Sequence, residues 1–192
     1  MNKTLRLIAI GCISISLSAC IPLVFVAGAA VGGAVIYDKR DVKTIAADHN
    51  IAQNLRKKIA NNPAFKTSNI DITAFNKIIL IVGQVPTQEL KNEANTMAID
   101  IPKVRRVYNE ITISDDTTSA WQKSKDTGIT TLVKSVLLAT KGLRSSQIKV
   151  LTEDSVVYLM GIVTPRQAEL ASNAASTVSG VSKVVQVFEL VR

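Results

Sequence analysis

Few residues in this 192-residue chain are equipped for covalent chemistry, and Cys20 stands out among them. It closes the run Leu17-Ser18-Ala19-Cys20. Small residues on the amino side of a cysteine suit a peptidase that cuts there, and a thiol is the nucleophile that diacylglyceryl transfer requires. Upstream, Lys3 and Arg6 form a short basic region, and Leu7 to Leu17 is an apolar stretch of about signal-peptide length. Cleavage before Cys20 would remove Cys12 and place lipid on the Cys20 sulfur, leaving no free thiol for a disulfide or a cysteine metal site. An uncleaved transmembrane anchor is the alternative reading of the same stretch.

The other reactive side chains form no catalytic set. His49, the single histidine, sits in Ala47-Asp48-His49-Asn50. Adjacent residues on a helix do not face each other, so Asp48 and His49 make no dyad, and a surface or capping role is expected. The carboxylates are scattered, and Glu153-Asp154 reads as a turn between strands. No phosphate loop, metal cluster or triad signature is visible, so the expectation is a non-enzymatic protein with no cofactor and no metal.

Charge is more informative. Lys and Arg number 23 against 15 Asp and Glu, a net charge of +8, and loss of Lys3 and Arg6 with the signal would leave +6. That balance suits a surface that meets anionic lipid or another polyanion. Nucleic acid is a poor partner, because the few aromatic residues form no stacking pattern. From Trp121 to Lys149 there are six basic residues, Lys123, Lys125, Lys134, Lys141, Arg144 and Lys149, and one acidic residue, Asp126. The same segment holds Ile129, Leu132, Val133, Val136, Leu137 and Leu138, a broader apolar set than a single helical stripe needs. One face would fill a core while Val133 or Leu138 stays near the surface, and Trp121 would supply an interfacial aromatic. A solvated linker with an incidental tryptophan, followed by an ordinary core helix, is the plainer reading. Arg56-Lys57-Lys58 and Arg105-Arg106 read as solvated charge, with headgroup contact a minor option.

These residues must be positioned by a duplicated scaffold. Ile79-Leu80-Ile81-Val82-Gly83-Gln84-Val85 reappears 78 positions later as Val157-Tyr158-Leu159-Met160-Gly161-Ile162-Val163, and the match runs without gaps from Ile51 to about Ile99. Two small α+β domains of one fold follow. Each copy reads helix, strand, strand, helix, strand. In the first, Ile51, Leu55 and Ile59 recur at helical spacing, with Asp48 or Asn50 able to cap the start. Strands are expected at Asn69 to Phe75, Lys77 to Val85 and Arg106 to Ile113, with a helix from about Thr87 to Asp100. In the second, Thr164-Pro165-Arg166-Gln167 is a capping-box pattern, and Gly180 suits a left-handed position that ends the helix. Ile78 to Val82 and Val156 to Met160 are continuously apolar where a half-buried strand would alternate. Both faces of these strands are therefore expected to be covered, one by helices and the other by the partner domain. Gly83 and Gly161 are expected to mark a bulge or a close backbone approach, not a ligand site.

The resulting division is a signal at 1–19, a lipidated apolar tether at 20–47, domains at 48–113 and 126–192, and a linker at 114–125. Within the tether, the uncharged stretch 21–36 would span roughly 24 Å as a helix, short of a bilayer core of roughly 30 Å. Gly28 and Gly32 have the spacing that lets two helices approach closely.

The αββαβ unit, with strands ending Val82-Gly83-Gln84-Val85 and Met160-Gly161-Ile162-Val163, resembles the BON domain. Further segments fit: Ile72-Thr73-Ala74, Val107-Tyr108-Asn109-Glu110-Ile111 and Val178-Ser179-Gly180-Val181. Two copies behind a run similar to a bacterial lipobox resemble the dual-BON outer-membrane lipoproteins. That resemblance implies a non-enzymatic protein that supports outer-membrane integrity. With Ile21 after Cys20, it also implies anchoring in the outer membrane, facing the periplasm. It further implies that the first helix of the second domain binds anionic phospholipid. Family members carry Asp-Thr-Trp-Ile-Thr-Thr at the start of that helix; here the segment is Asp126-Thr127-Gly128-Ile129-Thr130-Thr131, with no aromatic at Gly128. The contact set expected for phospholipid is Trp121, Gly128, Val133, Lys134, Leu138, Lys141 and Arg144, with Cys20 as the lipidation site. An adaptor for outer-membrane assembly or secretion proteins, or a periplasmic holdase, is the alternative function.

Overall fold

The structure, a computed structural model, describes residues 40–116 and 119–192. The candidate signal, Cys20 and the apolar stretch 21–36 lie outside the described residues. Helix α1 runs Val42–Ala60 and starts because the Asp41 side chain accepts from the Thr44 backbone N–H at 2.8 Å. Residues 42–47, expected to belong to a tether, are therefore helical, and the cap is Asp41 instead of Asp48 or Asn50. A short 3-10 turn at Pro63–Phe65 leads into β1 (Asn69–Phe75) and β2 (Ile78–Val85). Helix α2 (Gln88–Ile99), capped by Thr87, then delivers β3 (Arg106–Ile113).

The second copy repeats this order with α3 (Ala120–Ala139), a 3-10 turn at Ser145–Gln147, β4 (Ile148–Glu153), β5 (Val156–Val163), α4 (Pro165–Ser176) and β6 (Lys183–Leu190). Ser119 caps α3 by accepting from the Gln122 N–H, so the expected linker is helical from Ala120 onward. The capping box at Thr164 and Gln167 forms as its residue types require. Gly180 has φ +91°, but the α4 cap is Thr177 in the right-handed region, so this glycine shapes the following turn and not the helix end.

Each sheet has its middle strand in the centre, in the orders β1-β2-β3 and β4-β5-β6. The hairpin strands are antiparallel, and the strand after the second helix returns parallel. Alternation along the central strands explains their unbroken apolar runs. Ile79 and Ile81 enter the first domain's core with Ile51, Leu55 and Ile59 of α1. Val157 and Leu159 enter the second core with Ile129, Val133 and Leu137 of α3. The opposite faces meet each other: Phe75, Ile78, Leu80 and Val82 pack with Tyr158, Met160 and Val187 in a third core shared by the two copies. Every side chain buried there contributes roughly 1.5–3 kcal/mol, so this face joins the copies into one body. Both lie within a single compact unit, Val35–Arg192. Desolvation in this layer, with Glu110, Glu153 and Asp154 adding to it, pushes the Tyr158 hydroxyl up to about 12.

Gly83 and Gly161 do mark close backbone approaches. A Cβ at Gly83 would fall 2.0 Å from the Asn69 carbonyl oxygen, and one at Gly161 would fall 2.6 Å from that of Gln147.

Candidate functional site

Helix α3 is positioned by a buried stripe of Asp126, Ile129, Val133 and Leu137. Asp126 anchors it: its carboxylate accepts from the backbone N–H of Asp154 and of Ser155, both at 2.9 Å, and from Gln122 Nε2 at 3.0 Å. Asp154 and Ser155 are the two positive-φ residues of the β4–β5 turn, whose amides point inward and need an acceptor. Asp48 does the same in the first copy, accepting from Asn76 N and Lys77 N at 2.7 Å each. The 78-residue offset places Asp48 on Asp126, three residues before the aligned match begins. Extending the match upstream was the signal that would have revealed these two clamps.

With that stripe inward, Trp121, Lys125, Gly128 and Leu132 follow one another at i, i+4, i+7 and i+11 on the outer side of α3. Trp121 is 79 % exposed, Leu132 52 % and Leu138 76 %. Lys134, Lys141 and Arg144 are also exposed, on the helix and in the segment that follows it. Val133 is fully buried and leaves the expected contact set, because it sits four residues after Ile129 and four before Leu137 on the core-facing stripe. Leu132, missing from that set, takes its place at the surface. Gly128 is exposed, and a Cβ built there meets nothing within 4 Å.

The equivalent positions of α1 are different in kind. Trp121, Gly128, Leu132 and Leu138 fall on Lys43, Asn50, Asn54 and Ala60. At these positions the same helix in the same fold has no large apolar side chain in one copy and three in the other; α1 exposes Val42 and Ile45 only in its first turn.

Not all of the basic residues after Trp121 serve that surface. Lys123 donates to Asn69 Oδ1 of the first copy at 2.8 Å. Lys149 leaves the α3 face for a cleft lined by Arg40 and Arg56. Arg105 pairs with Glu189 across the domain boundary, at 3.0 and 3.1 Å, instead of standing free for a headgroup. His49 is exposed on α1. Among the described residues no group of three or more His, Cys, Asp or Glu is arranged to hold a metal, and no helix is long and apolar enough to cross a membrane.

The pattern of the BON domain family matches this chain twice, over residues 47–115 and 125–192. The chain belongs to the BON domain family. Among the described residues the matched ranges hold both sheets, α2, α4 and all but the first five residues of α1 and of α3, and the fold is α+β. Among curated relatives, the chain is 33 % identical over 177 residues to "Outer membrane lipoprotein DolP" of Haemophilus influenzae, covering 92 % of this chain and 91 % of that protein. It is 32 % identical to the "21 kDa hemolysin" of Actinobacillus pleuropneumoniae, covering 81 % and 80 %. It is 27 % identical to "Osmotically-inducible protein Y" of Escherichia coli, covering 71 % and 69 %.

Proposed function

We propose that this protein is lipid-anchored through Cys20 in the outer membrane, faces the periplasm, and maintains membrane integrity by binding anionic phospholipid along α3 of its second BON domain. The observation that carries this reading is the divergence of the two first helices. A core-packing helix needs only its buried stripe, and α1 has Lys43, Asn50, Asn54 and Ala60 where α3 has Trp121, Gly128, Leu132 and Leu138. The exposed large apolar residues of α1, Val42 and Ile45, are confined to its first turn. Helix α3 instead places Trp121, Leu132 and Leu138 in water beside Lys125, Lys134, Lys141 and Arg144. Apolar side chains that reach acyl chains, flanked by lysines that reach phosphates, are the composition of an interfacial helix. The relative named as an outer-membrane lipoprotein, and the run ending at Cys20, support the anchor and the compartment.

Vesicle binding by the unit Val35–Arg192 tests this. Vesicles containing phosphatidylglycerol should bind, vesicles of phosphatidylcholine alone should not, and salt should weaken the interaction. Interfacial lysines contribute roughly 1 kcal/mol each, so Lys134→Glu with Lys141→Glu should weaken binding by about tenfold or more. Trp121→Ala should also weaken it. Gly128→Trp, which has open space for its side chain, should strengthen it. Equal binding to both lipids, or indifference to all of these changes, would reject the reading. An envelope protein that co-purifies in fixed ratio and survives the same changes would favour an adaptor.

A further inference from the structure

Duplication gives this protein two related clefts, one on each side of the seam between the BON domains. In one, of about 540 Å³, Lys134 of α3 lies with Asp71 of β1. In the other, of about 230 Å³, Arg56 of α1 lies with Lys149 of β4, and Arg40, Asp48, His49 and Thr73 are also on its wall. The 78-residue offset maps Arg56 onto Lys134 and Asp71 onto Lys149, so the clefts are equivalent in position and opposite in balance. The first sets acid against base. The second gathers three cations around one carboxylate, Asp48.

We propose that the second cleft is a phosphate-binding site spanning the two BON domains, taking a phosphate group that is free in solution or carried on a lipid headgroup. Asp48 lines the same cleft and its ion pair compensates Arg40, so the cluster keeps the charge of Arg56 and Lys149. The Asp48 oxygens accept from two hairpin amides and from Arg40 Nη1 at 2.8 Å, and the carboxylate is buried in that clamp. Arg56 donates to the carbonyl of Ile72, a neutral acceptor, so its charge stays uncompensated by a bonded carboxylate. Lys149 makes no hydrogen bond or ion pair with any described residue, and part of its surface reaches water. Surrounding protein atoms hold its ammonium below the ordinary lysine range, and Arg40 and Arg56 push it further; Asp48 and Asp71 offset this in part. A dianion between these groups would reverse the repulsion. The guanidinium fork of Arg56 and the ammonium of Lys149 are donors of the kind that recognise phosphate oxygens. None of the cleft residues belongs to α3, so this site is independent of the lipid-binding helix.

The test is a titration of the full chain, held in maltoside micelles in phosphate-free buffer, followed by NMR of the Lys Nζ and Arg Nε groups. Inorganic phosphate should shift Lys149 and Arg56 saturably, raise the Lys149 pKa, and raise the melting temperature by binding across the seam. Lys149→Gln removes one charge-assisted contact and should weaken binding about tenfold or more, while Lys149→Arg should retain it. Lys149→Asp, which gives this cleft the charge of its sister, should abolish it. A second arm adds vesicles with phosphatidylglycerol or with phosphatidylcholine alone. Shifts at Lys149 with phosphatidylglycerol and not with inorganic phosphate assign the site to a lipid headgroup; shifts with inorganic phosphate assign it to soluble phosphate. No saturable shift in either arm, or binding that Lys149→Gln leaves intact, overturns the proposal.

Discussion

Asp48 in the first BON domain and Asp126 in the second hold the same turn in the same way, yet their surroundings have parted. Asp48 takes a third hydrogen bond from charged Arg40, whereas Asp126 takes its third from the neutral amide of Gln122. The helices that carry them bury matching stripes, Ile51, Leu55 and Ile59 against Ile129, Val133 and Leu137, and present unlike faces to solvent. Burial fixes side-chain volume, and unpaired turn amides fix an acceptor, so these features outlast duplication. Solvent imposes neither constraint. A difference between the copies on an exposed face therefore points to function more directly than any single residue does.

The glycines at the ends of the central strands give the sharpest contrast. Gly83 has φ +114°, and a Cβ there would lie 2.0 Å from the Asn69 carbonyl oxygen in the adjacent edge strand. Gly161 has no left-handed backbone, and its Cβ would lie 2.6 Å from the Gln147 carbonyl oxygen in a short 3-10 turn. Gly83→Ala should cost about 3–5 kcal/mol, combining overpacking with left-handed strain. Gly161→Ala should cost about 1–3 kcal/mol, because only the crowding remains. Urea midpoints measure both. Equal losses would mean that the two strand ends are constrained alike.

The clamps should fall below Gly83→Ala. Replacing either aspartate with alanine leaves two turn amides without their acceptor, a cost of about 2–3 kcal/mol. Asp48→Ala also breaks the ion pair with Arg40 and should exceed Asp126→Ala by about 1 kcal/mol. Thermal unfolding of the two variants side by side measures the difference. A larger loss from Asp126→Ala would put the second domain, and not the charged contact of Arg40, at the centre of stability.

The duplication made most of the scaffold legible. Unbroken apolar runs at Ile78 to Val82 and Val156 to Met160 implied strands covered on both faces, and the shared sheet-to-sheet core is the physical reason. What escaped sequence reading depended on long-range polar contacts. Asp48 has the residue type of a helix cap, and only the distant turn at Asn76 and Lys77 shows why it is buried inside the helix. Val133 and Leu132 are adjacent apolar residues, so which one faces outward depends on helix phase, and the position of Asp126 sets that phase. Lys149 looked like one more base in a basic segment. The alternation of β4 turns it away from its own domain's core, and the seam brings it to Arg40 and Arg56.

The seam itself carries the weakest predicted effect. Glu189 accepts from Arg105 at 3.0 and 3.1 Å and from Asn76 Nδ2 at 2.7 Å, joining the end of β6 to the first BON domain. The offset that relates the last strands puts Thr112 and Ser182 at the matching places, and these carry no charge, so the ion pair exists on one side of the seam only. The hydrogen bond from Arg105, followed by that of Asn76, holds the Glu189 carboxyl below the ordinary glutamate range. A carboxyl depressed in the folded state binds its proton more readily in the unfolded chain. Its stabilisation is therefore complete above the ordinary glutamate pKa and is lost as pH falls through the lower folded value. Both side chains retain substantial solvent contact, which limits the pair to about 0.2–1 kcal/mol. Glu189→Gln should lower the urea midpoint slightly at neutral pH and flatten its decline in acid. High salt should shrink the neutral-pH difference, since the attraction is screened where water reaches it. If the variant and the parent lose stability in parallel as acid is added, Glu189 is not titrating through this contact. The asymmetry of the seam would then rest on packing alone.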